Sequence, residues 1–94
     1  MSQLLADPLR AQIVGMLADG ALCTCHLVDE TGAKQPTISH HLRVLREAGL
    51  ITAEPAGRFT YYRLRPDALD NAATELADLA RRARRNAGLR RACP

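Results

Sequence analysis

The stretch QPTISHHLRVLREAGLI, residues 35–51, decides the fold. Its buried-type residues recur at helical spacing: Ile38, Leu42 and Leu45. Gln35 is placed as a helix cap, Pro36 suits the first helical position, and Gly49 suits the residue after a helix end. We therefore predict an amphipathic helix with one apolar stripe for the core and one polar face for solvent or a partner.

Apart from a short helix over residues 1–6, the residues before this helix predict two more helices. Asp7 is a natural N-cap with Pro8 at the first helical position, and Gly20 ends the helical apolar pattern that follows. Residues 1–6 are expected to form a short helix before Asp7. Thr24 is expected to cap a short helix that stops at Gly32. Two short helices joined by a tight turn containing glycine form a helix-turn-helix.

The spacing of the apolar residues changes after this motif. Residues 50–54 and 59–64 are rich in β-branched and aromatic residues and flank Pro55-Ala56-Gly57-Arg58, which predicts a β-hairpin with Arg58 at its tip. From Asp67 the pattern is helical again, and an Ala/Leu seam runs along this helix: Leu69, Ala72 or Ala73, Leu76, Ala80 and Ala83. The seam suits either a dimer contact or the chain's own core. Gly88 should end the helix, and residues 88–94 should form a mobile tail.

Length and composition limit the alternatives. A chain of 94 residues with 47% apolar and 24% charged residues is globular and makes one domain, residues 1–94. Neither a membrane span nor a secretory signal is recognisable, so we expect a cytoplasmic protein. The predicted fold class is mainly α with a β-hairpin wing (α+β), a winged helix-turn-helix.

The polar face of the third helix predicts a contact with double-stranded DNA. Its N-terminal end and outer side carry side chains that can bond base edges or phosphates, together with the hairpin tip: Gln35, Thr37, Ser39, His40, Arg43 and Arg58. The alternative is a merely solvated helix face. His41 flanks the apolar stripe and is expected to be a half-buried histidine with a hydrogen-bond partner.

Three cysteines are the other feature to explain. Cys23 and Cys25 lie at the start of the second helix, where the helix dipole favours the thiolate, and Cys93 lies in the tail. An odd number of cysteines argues against a disulfide framework. We do not expect an enzyme, because there is no glycine-rich phosphate loop and Cys25 beside His26 in sequence is not a nucleophile and base in space. His26 is expected to be solvated, with zinc or cadmium ligation as the alternative.

From about residue 5 to residue 69 the chain resembles the ArsR/SmtB metal-responsive repressors. The segments that carry the resemblance are LADPLRAQIV at 5–14, QPTISHHLRVLREAGLI at 35–51, GRFTYYRL at 57–64, and CTCHLV at 23–28, which is similar to the cysteine box of the arsenical repressors. The resemblance implies a homodimer, joined through its terminal helices, that binds an operator inverted repeat and releases it when an inducer ion binds. No organic cofactor is implied.

The resemblance also points to a thiolate site for As(III) or Sb(III). Trivalent arsenic takes three sulfurs, and the prototype box has a third cysteine where this chain has Val28. Cys23, Cys25 and Cys93, from the same chain or its partner, are therefore the expected metal ligands. Alternatives are a Cd(II)- or Pb(II)-sensing repressor, a thiol-redox switch with an inter-chain disulfide or a sulfenic acid, and a winged-helix module for protein or RNA with inert thiols.

Overall fold

The computed structural model describes residues 2–93. Within that range the helices are α1 (Ser2–Ala6), α2 (Pro8–Leu17), α3 (Thr24–Thr31), α4 (Gln35–Glu47) and α5 (Pro66–Arg85). The strands are β1 (Leu22–Cys23), β2 (Ile51–Ala56) and β3 (Phe59–Leu64). The predicted winged helix-turn-helix is confirmed: α3 and α4 form the helical pair, and β2 and β3 form the wing.

One apolar cluster holds these elements together. Its members come from α2, α3, α4 and the start of the wing: Ile13, Leu17, Leu27, Ile38, Leu42, Leu45, Leu50 and Ile51. The three apolar residues predicted on α4 are all in this cluster and are almost completely shielded from solvent. Burial of this stripe fixes the rotation of α4 and so determines which of its side chains face outward.

The helix starts follow the sequence with small differences. The Asp7 carboxylate accepts the backbone N–H of Arg10 at 3.0 Å, as expected of an N-cap. Lys34, one residue before the predicted Gln35, is the N-cap of α4. Between α3 and α4, Gly32 has φ +74°, a left-handed conformation that side chains disfavour, and this permits the tight turn.

The start of α3 differs for a tertiary reason. Cys23, not Thr24, is the N-cap, with an extended backbone at φ −89° and ψ 167°. Cys23 is extended because it belongs to β1, which pairs antiparallel with β3 and places Cys23 opposite Tyr61. The wing is consequently a three-stranded sheet in the order β1-β3-β2. Cys23 is therefore both the last residue of a strand and the cap of a helix.

The terminal helix α5 contributes little to the core. Ala68 and Leu69 pack against the buried cluster, but no residue of the helix is fully buried, and Leu76 and Leu79 are 59% and 54% exposed. The chain measures 60 Å along its longest axis and 24 and 20 Å along the others. Beyond Leu69, no residue of the apolar seam packs against the buried cluster among residues 2–93. The helix ends at Arg85, three residues before the predicted Gly88.

Residues 89–93 have no regular secondary structure. Pro94, the last residue of the predicted mobile tail, lies outside the described residues. Among residues 2–93, no helix is both long enough and apolar enough to cross a lipid bilayer.

Candidate nucleic-acid interface and thiol site

The outer face of α4 presents the predicted DNA-contacting side chains together. All five on this helix are exposed: Gln35, Thr37, Ser39, His40 and Arg43. Arg43 and the Nδ1 atom of His40 lie 3.3 Å apart, so their positions on the surface are coupled. Since the apolar stripe is buried on the opposite side, the helix can enter a groove of DNA without disturbing its own packing.

A shallow cavity of about 420 Å³ lies between α4 and β3. Its lining comes from α4, including the buried Leu42, and from one wing residue: Ser39, Leu42, Arg43, Arg46, Glu47 and Tyr62. Arg46 was not among the predicted contact residues, yet it is exposed and lies beside Arg43 on this surface. Arg46 lies in the last turn of α4, where a cation also complements the helix dipole.

The wing carries Arg58 at its tip. Gly57, with φ +63°, and Arg58 make the turn between β2 and β3, and Arg58 is exposed. On the strands below, the Arg63 Nε donates to Glu54 at 3.1 Å, and this cross-strand pair supports the sheet. Arg58 forms no ion pair among residues 2–93, so its guanidinium is available to a phosphate.

Behind the outer face, His41 joins α4 to the start of α2. The ring is 7% exposed; its Nδ1 accepts the Arg10 Nε–H at 3.2 Å, and its Nε2 lies 3.9 Å from the Asp7 carboxylate. The predicted hydrogen-bond partner is confirmed, but the residue is buried rather than half-buried. Burial lowers the pKa of His41 below its ordinary value of 6.5, while Asp7 opposes that change. The backbone N–H of Arg10 lowers the pKa of Asp7 below 3.8.

These pKa shifts predict that stability falls with acidification. The folded state holds His41 neutral to a lower pH than the unfolded state does. Below about pH 6.5 the unfolded chain therefore binds the additional proton, and the free energy of unfolding decreases, by at most about 1.4 kcal/mol per pH unit for one group. Asp7, with its lowered pKa, adds a separate loss below about pH 4. Urea unfolding between about pH 7.5 and pH 5 measures the first effect.

The neighbouring histidine supplies the matched control. His41→Gln should flatten the dependence between about pH 7.5 and pH 5, whereas His40→Gln, at an exposed position, should change it only slightly, because the His40 charge is the smallest of the effects on the His41 pKa. If the free energy of unfolding of His41→Gln still fell with pH as in the wild type, His41 would not be the source of the pH dependence.

The two clustered cysteines lie at the junction of β1 and α3. Cys23 is 3% exposed, Cys25 is exposed in the first turn of α3, and the structure joins their sulfurs in a disulfide with the Cα atoms 5.4 Å apart. Residues two apart inside a helix point in different directions, but here only Cys25 is helical. Both sulfurs can therefore face the same side, as a shared thiol site requires.

His26 was expected to be simply solvated, and this is wrong in one respect. Although the residue is exposed, its Nδ1 accepts the backbone N–H of Cys23 at 3.2 Å and lies 3.2 Å from the Cys23 sulfur. This is the side-chain-to-N-cap half of a capping box, with histidine in the place of glutamate. The spacing from residue 23 to residue 26 carried that signal, which was hidden because Thr24 was taken as the cap.

The third predicted ligand, Cys93, is exposed in the segment after α5. Among residues 2–93 the group able to hold an ion consists of Cys23, Cys25 and His26, whose ligand atoms lie within 4.8 Å of one another. Cys93 is not part of it within one chain. Val28, at the place of the third cysteine in the prototype box, is half-buried and packs against the core.

Comparison with known proteins agrees with this architecture. The family model described as bacterial regulatory protein, arsR family, matches residues 7–53. Over 64 residues the chain is 44% identical to the arsenic resistance transcriptional regulator ArsR1 of Pseudomonas putida, covering 67% of this chain and 50% of that protein. Over 60 residues it is 43% identical to the HTH-type transcriptional repressor SmtB of Mycobacterium tuberculosis, covering 64% and 44%. The chain thus spans about half the length of these curated relatives.

A solved structure supports the same assignment over a larger part of the chain. The crystal structure of a "Possible transcriptional regulator for arsenical resistance" superimposes with a TM-score of 0.74 and 38% identity, covering 82% of this chain and 80% of that one. The fold comparison and the sequence comparisons therefore agree. The chain therefore belongs to the ArsR family of bacterial regulatory proteins.

Proposed function

We propose that the protein is a homodimeric transcriptional repressor that binds an inverted repeat in operator DNA and releases it when As(III) or Sb(III) binds its thiolates. The ligands in this proposal are Cys23, Cys25 and Cys93. The observation that carries it is the cysteine pair on either side of the first residue of α3, the helix that packs directly against the DNA-contacting helix α4.

DNA binding follows from the two surfaces that the fold leaves free. The outer face of α4 offers amide, hydroxyl, imidazole and guanidinium groups to base edges, and Arg58 at the wing tip offers a charged donor to the backbone. In dimeric helix-turn-helix proteins the two recognition helices meet half-sites about 34–36 Å apart along the duplex. An inverted repeat matches the two-fold symmetry of such a dimer.

The dimer is supported by the exposed apolar seam of α5. In the single chain, two leucines of α5 are more than half exposed and lie beside small alanines. Together they form an apolar stripe that is open to solvent. A second copy of the same helix covers it by self-complementary packing, and the alanines allow the helices to approach closely. The expected contact thus uses the terminal helix, away from the outer face of α4.

The ion is taken by thiol exchange. Arsenous acid reacts with three cysteine thiols to form three As–S bonds and release three waters, with no change in oxidation state. Two of the thiols are Cys23 and Cys25, which must be reduced, and Cys93 of the same chain or of the partner supplies the third. Soft thiolate sulfur favours such ions over hard cations.

Binding at this point can reach the DNA-contacting surface through packing. Leu27 of α3 lies in the buried cluster with Ile38 and Leu42 of α4, so a change at the start of α3 shifts the support beneath α4. Allosteric coupling is typically about 1–3 kcal/mol, or roughly 5- to 150-fold in affinity. Linkage then requires operator DNA to weaken ion binding by the same factor.

Fluorescence anisotropy with an inverted repeat selected from a random duplex library tests the DNA contact. Arg43→Ala should weaken binding by about 1–3 kcal/mol for each recognition helix, because it removes a guanidinium that reaches a base or phosphate. The matched control is Glu47→Ala, at an exposed acidic position on the same helix, which should not weaken binding. If Arg43→Ala bound the inverted repeat as tightly as the wild type, α4 would not contact the DNA in the way proposed.

A second candidate function is a thiol-redox switch, and the Cys23–Cys25 disulfide specifically favours it. In that case hydrogen peroxide oxidises the two thiols to the disulfide and is itself reduced to two waters. The same anisotropy assay separates the candidates. Release by arsenite under reducing conditions supports the ion sensor, whereas release by peroxide without any response to arsenite supports the redox switch.

A further inference from the structure

The cavity between α4 and β3 lies where the two DNA-contacting parts of the chain meet. Ser39 and Arg43, which belong to the outer face of α4, line it together with Arg46 from the last turn of the same helix. Tyr62 of β3 is its lining residue from the wing. The cavity therefore continues the outer face of α4 towards the wing.

Strand β3 connects this cavity to the wing tip. Tyr62 pairs with Leu22 on one side and with Ala53 on the other, so it lies in the central strand of the sheet, and it packs against the buried cluster. Because side chains alternate along a strand, Thr60 lies on the same face as Tyr62 and nearer the tip. Arg58 follows two residues further on, at most about 13 Å from Tyr62 along an extended chain. The strand thus holds the cavity and the wing tip at a set separation.

The charges of the cavity favour an anion. Arg43 and Arg46 contribute two guanidinium groups to its lining, and Glu47 contributes one carboxylate. Arg46 forms no ion pair within the part of the chain that the structure describes. Ser39 and Tyr62 carry hydroxyl groups that can donate hydrogen bonds to the oxygens of an anion. A phosphodiester, with one negative charge and two free oxygens, complements such a lining.

The shape of duplex DNA determines which phosphodiester reaches this point. One sugar–phosphate strand separates the major groove, about 12 Å wide, from the adjacent minor groove, about 6 Å wide. A protein that places a helix in the first groove and the tip of its wing at the second must therefore straddle that strand. In this chain the space between the helix and the wing tip is the cavity beside α4.

We propose that this cavity binds a phosphodiester of the DNA strand that separates the two grooves, and that Arg46 and Tyr62 are further DNA-contacting residues. The inference rests on the proposed function in that α4 must occupy the major groove. Arg46 supplies a charge with paired N–H donors, and Tyr62 supplies a neutral donor. A contact of this kind fixes the register of the protein on the duplex without selecting its sequence.

The salt dependence of DNA binding tests the role of Arg46. The logarithm of the affinity falls linearly with the logarithm of the salt concentration, with a slope of about −0.9 for each phosphate contact. Arg46→Gln removes one contact from each protomer of the dimer, so the slope should become less steep by about 1.8 and the affinity at about 0.15 M salt should fall roughly tenfold or more. The loss should be the same for the operator and for a scrambled duplex, because no base contact is removed.

Two further substitutions at Arg46 and its neighbour serve as controls. Arg46→Lys keeps the charge and should keep the wild-type slope. Glu47→Gln, at the adjacent position, removes a carboxylate that repels the phosphate, so it should raise the affinity for both duplexes. If Arg46 acted only on the helix dipole, Arg46→Gln would lower stability in urea and leave the slope unchanged, which would overturn the proposal.

Tyr62→Phe tests the hydroxyl separately. The ring and its packing against the core are kept, and only a neutral hydrogen bond to the phosphate is removed. The affinity for both duplexes should fall roughly 2- to 10-fold for each protomer, with the salt slope as in the wild type. An affinity equal to that of the wild type would remove Tyr62 from the contact.

Methylphosphonate linkages, which are uncharged, locate the phosphate on the operator. They are placed one at a time along the strand between the two grooves. At one position in each half-site the substitution should weaken binding of the wild type but not weaken binding of Arg46→Gln any further, because the two changes remove the same contact. The proposal is wrong if no position shows this dependence on Arg46.

Operator release distinguishes failure here from failure of the proposed function. If arsenite releases the operator but Arg46→Gln keeps the wild-type salt slope, the phosphate site is wrong and the repressor proposal is retained. If the slope depends on Arg46 but no inverted repeat is preferred over scrambled duplex, the phosphate site is retained and the repressor proposal is wrong.

Discussion

Leu76→Asp should convert the protein to a monomer and lower its operator affinity at least about 1000-fold, towards nonspecific binding. Leu76 is 59% exposed in the single chain, on the seam assigned to the second copy, so the substitution should not disturb the monomer's core. In the dimer it would bury an unpaired carboxylate from each chain at the centre of the contact. Uncompensated burial of two charges outweighs the packing gained there.

The loss at the operator is large because two half-sites act together only when the two protomers are joined. Once one protomer of a dimer is bound, the recognition helix of the other protomer is held near the second half-site at a high effective concentration. A separate monomer loses that advantage. Analytical ultracentrifugation should show the mass fall to that of one chain, 10.3 kDa, and anisotropy should show the loss of affinity.

Leu89→Asp is the matched control, since Leu89 is 76% exposed but lies beyond the end of α5. The same change of leucine to aspartate there should leave both the mass and the operator affinity close to wild type. A dimeric Leu76→Asp protein with full operator affinity would show that the copies associate elsewhere.

The second large effect concerns the thiols. Cys25→Ser and Cys93→Ser should each abolish the release of operator DNA by arsenite while the affinity of the ion-free protein stays within about twofold of wild type. Both residues are exposed, so serine replaces them without a cavity, whereas Cys23 is buried and its replacement would also affect packing. A hydroxyl is a much poorer ligand than a thiolate for a soft ion.

The measurement is operator affinity with and without arsenite in the presence of a phosphine reductant. We expect the 5- to 150-fold shift of the wild type to vanish in both variants. Thr24→Ser, which alters the residue between the two cysteines but keeps every thiol, should respond like the wild type. A normal arsenite response in Cys93→Ser would remove Cys93 from the site and leave the third ligand to another group.

Much of the fold was accessible from the sequence because its strongest signals are local. The apolar stripe of α4 and the Asp7-Pro8 helix start each depend on residues within a few positions of one another. The same holds for the hairpin. His41 could also be placed, since a polar residue beside a buried stripe must find a partner, although nothing in the pattern identified Arg10 as that partner.

What was missed depends on contacts between distant segments. The two-residue strand β1 is too short to show an alternating pattern of apolar residues. It forms because it pairs with β3, and this pairing places Cys23 opposite Tyr61, which lies 38 residues later in the chain. That pairing moves the cap of α3 to Cys23 and brings His26 to the cysteine pair. The thiol pair was therefore recognisable from sequence, while its nitrogen neighbour was not.

In the proposed repressor, the position of Cys23 at the end of β1 would give a bound ion two routes to the DNA-contacting surface. A displacement of Cys23 acts on the recognition helix through α3 and on the wing through the strand pairing with β3. In a symmetric dimer this makes four contacts with the operator that weaken at once. A loss of only about 0.5 kcal/mol at each would total about 2 kcal/mol, or roughly 30-fold in affinity. Movements too small to unfold any element would then be sufficient to switch a gene on.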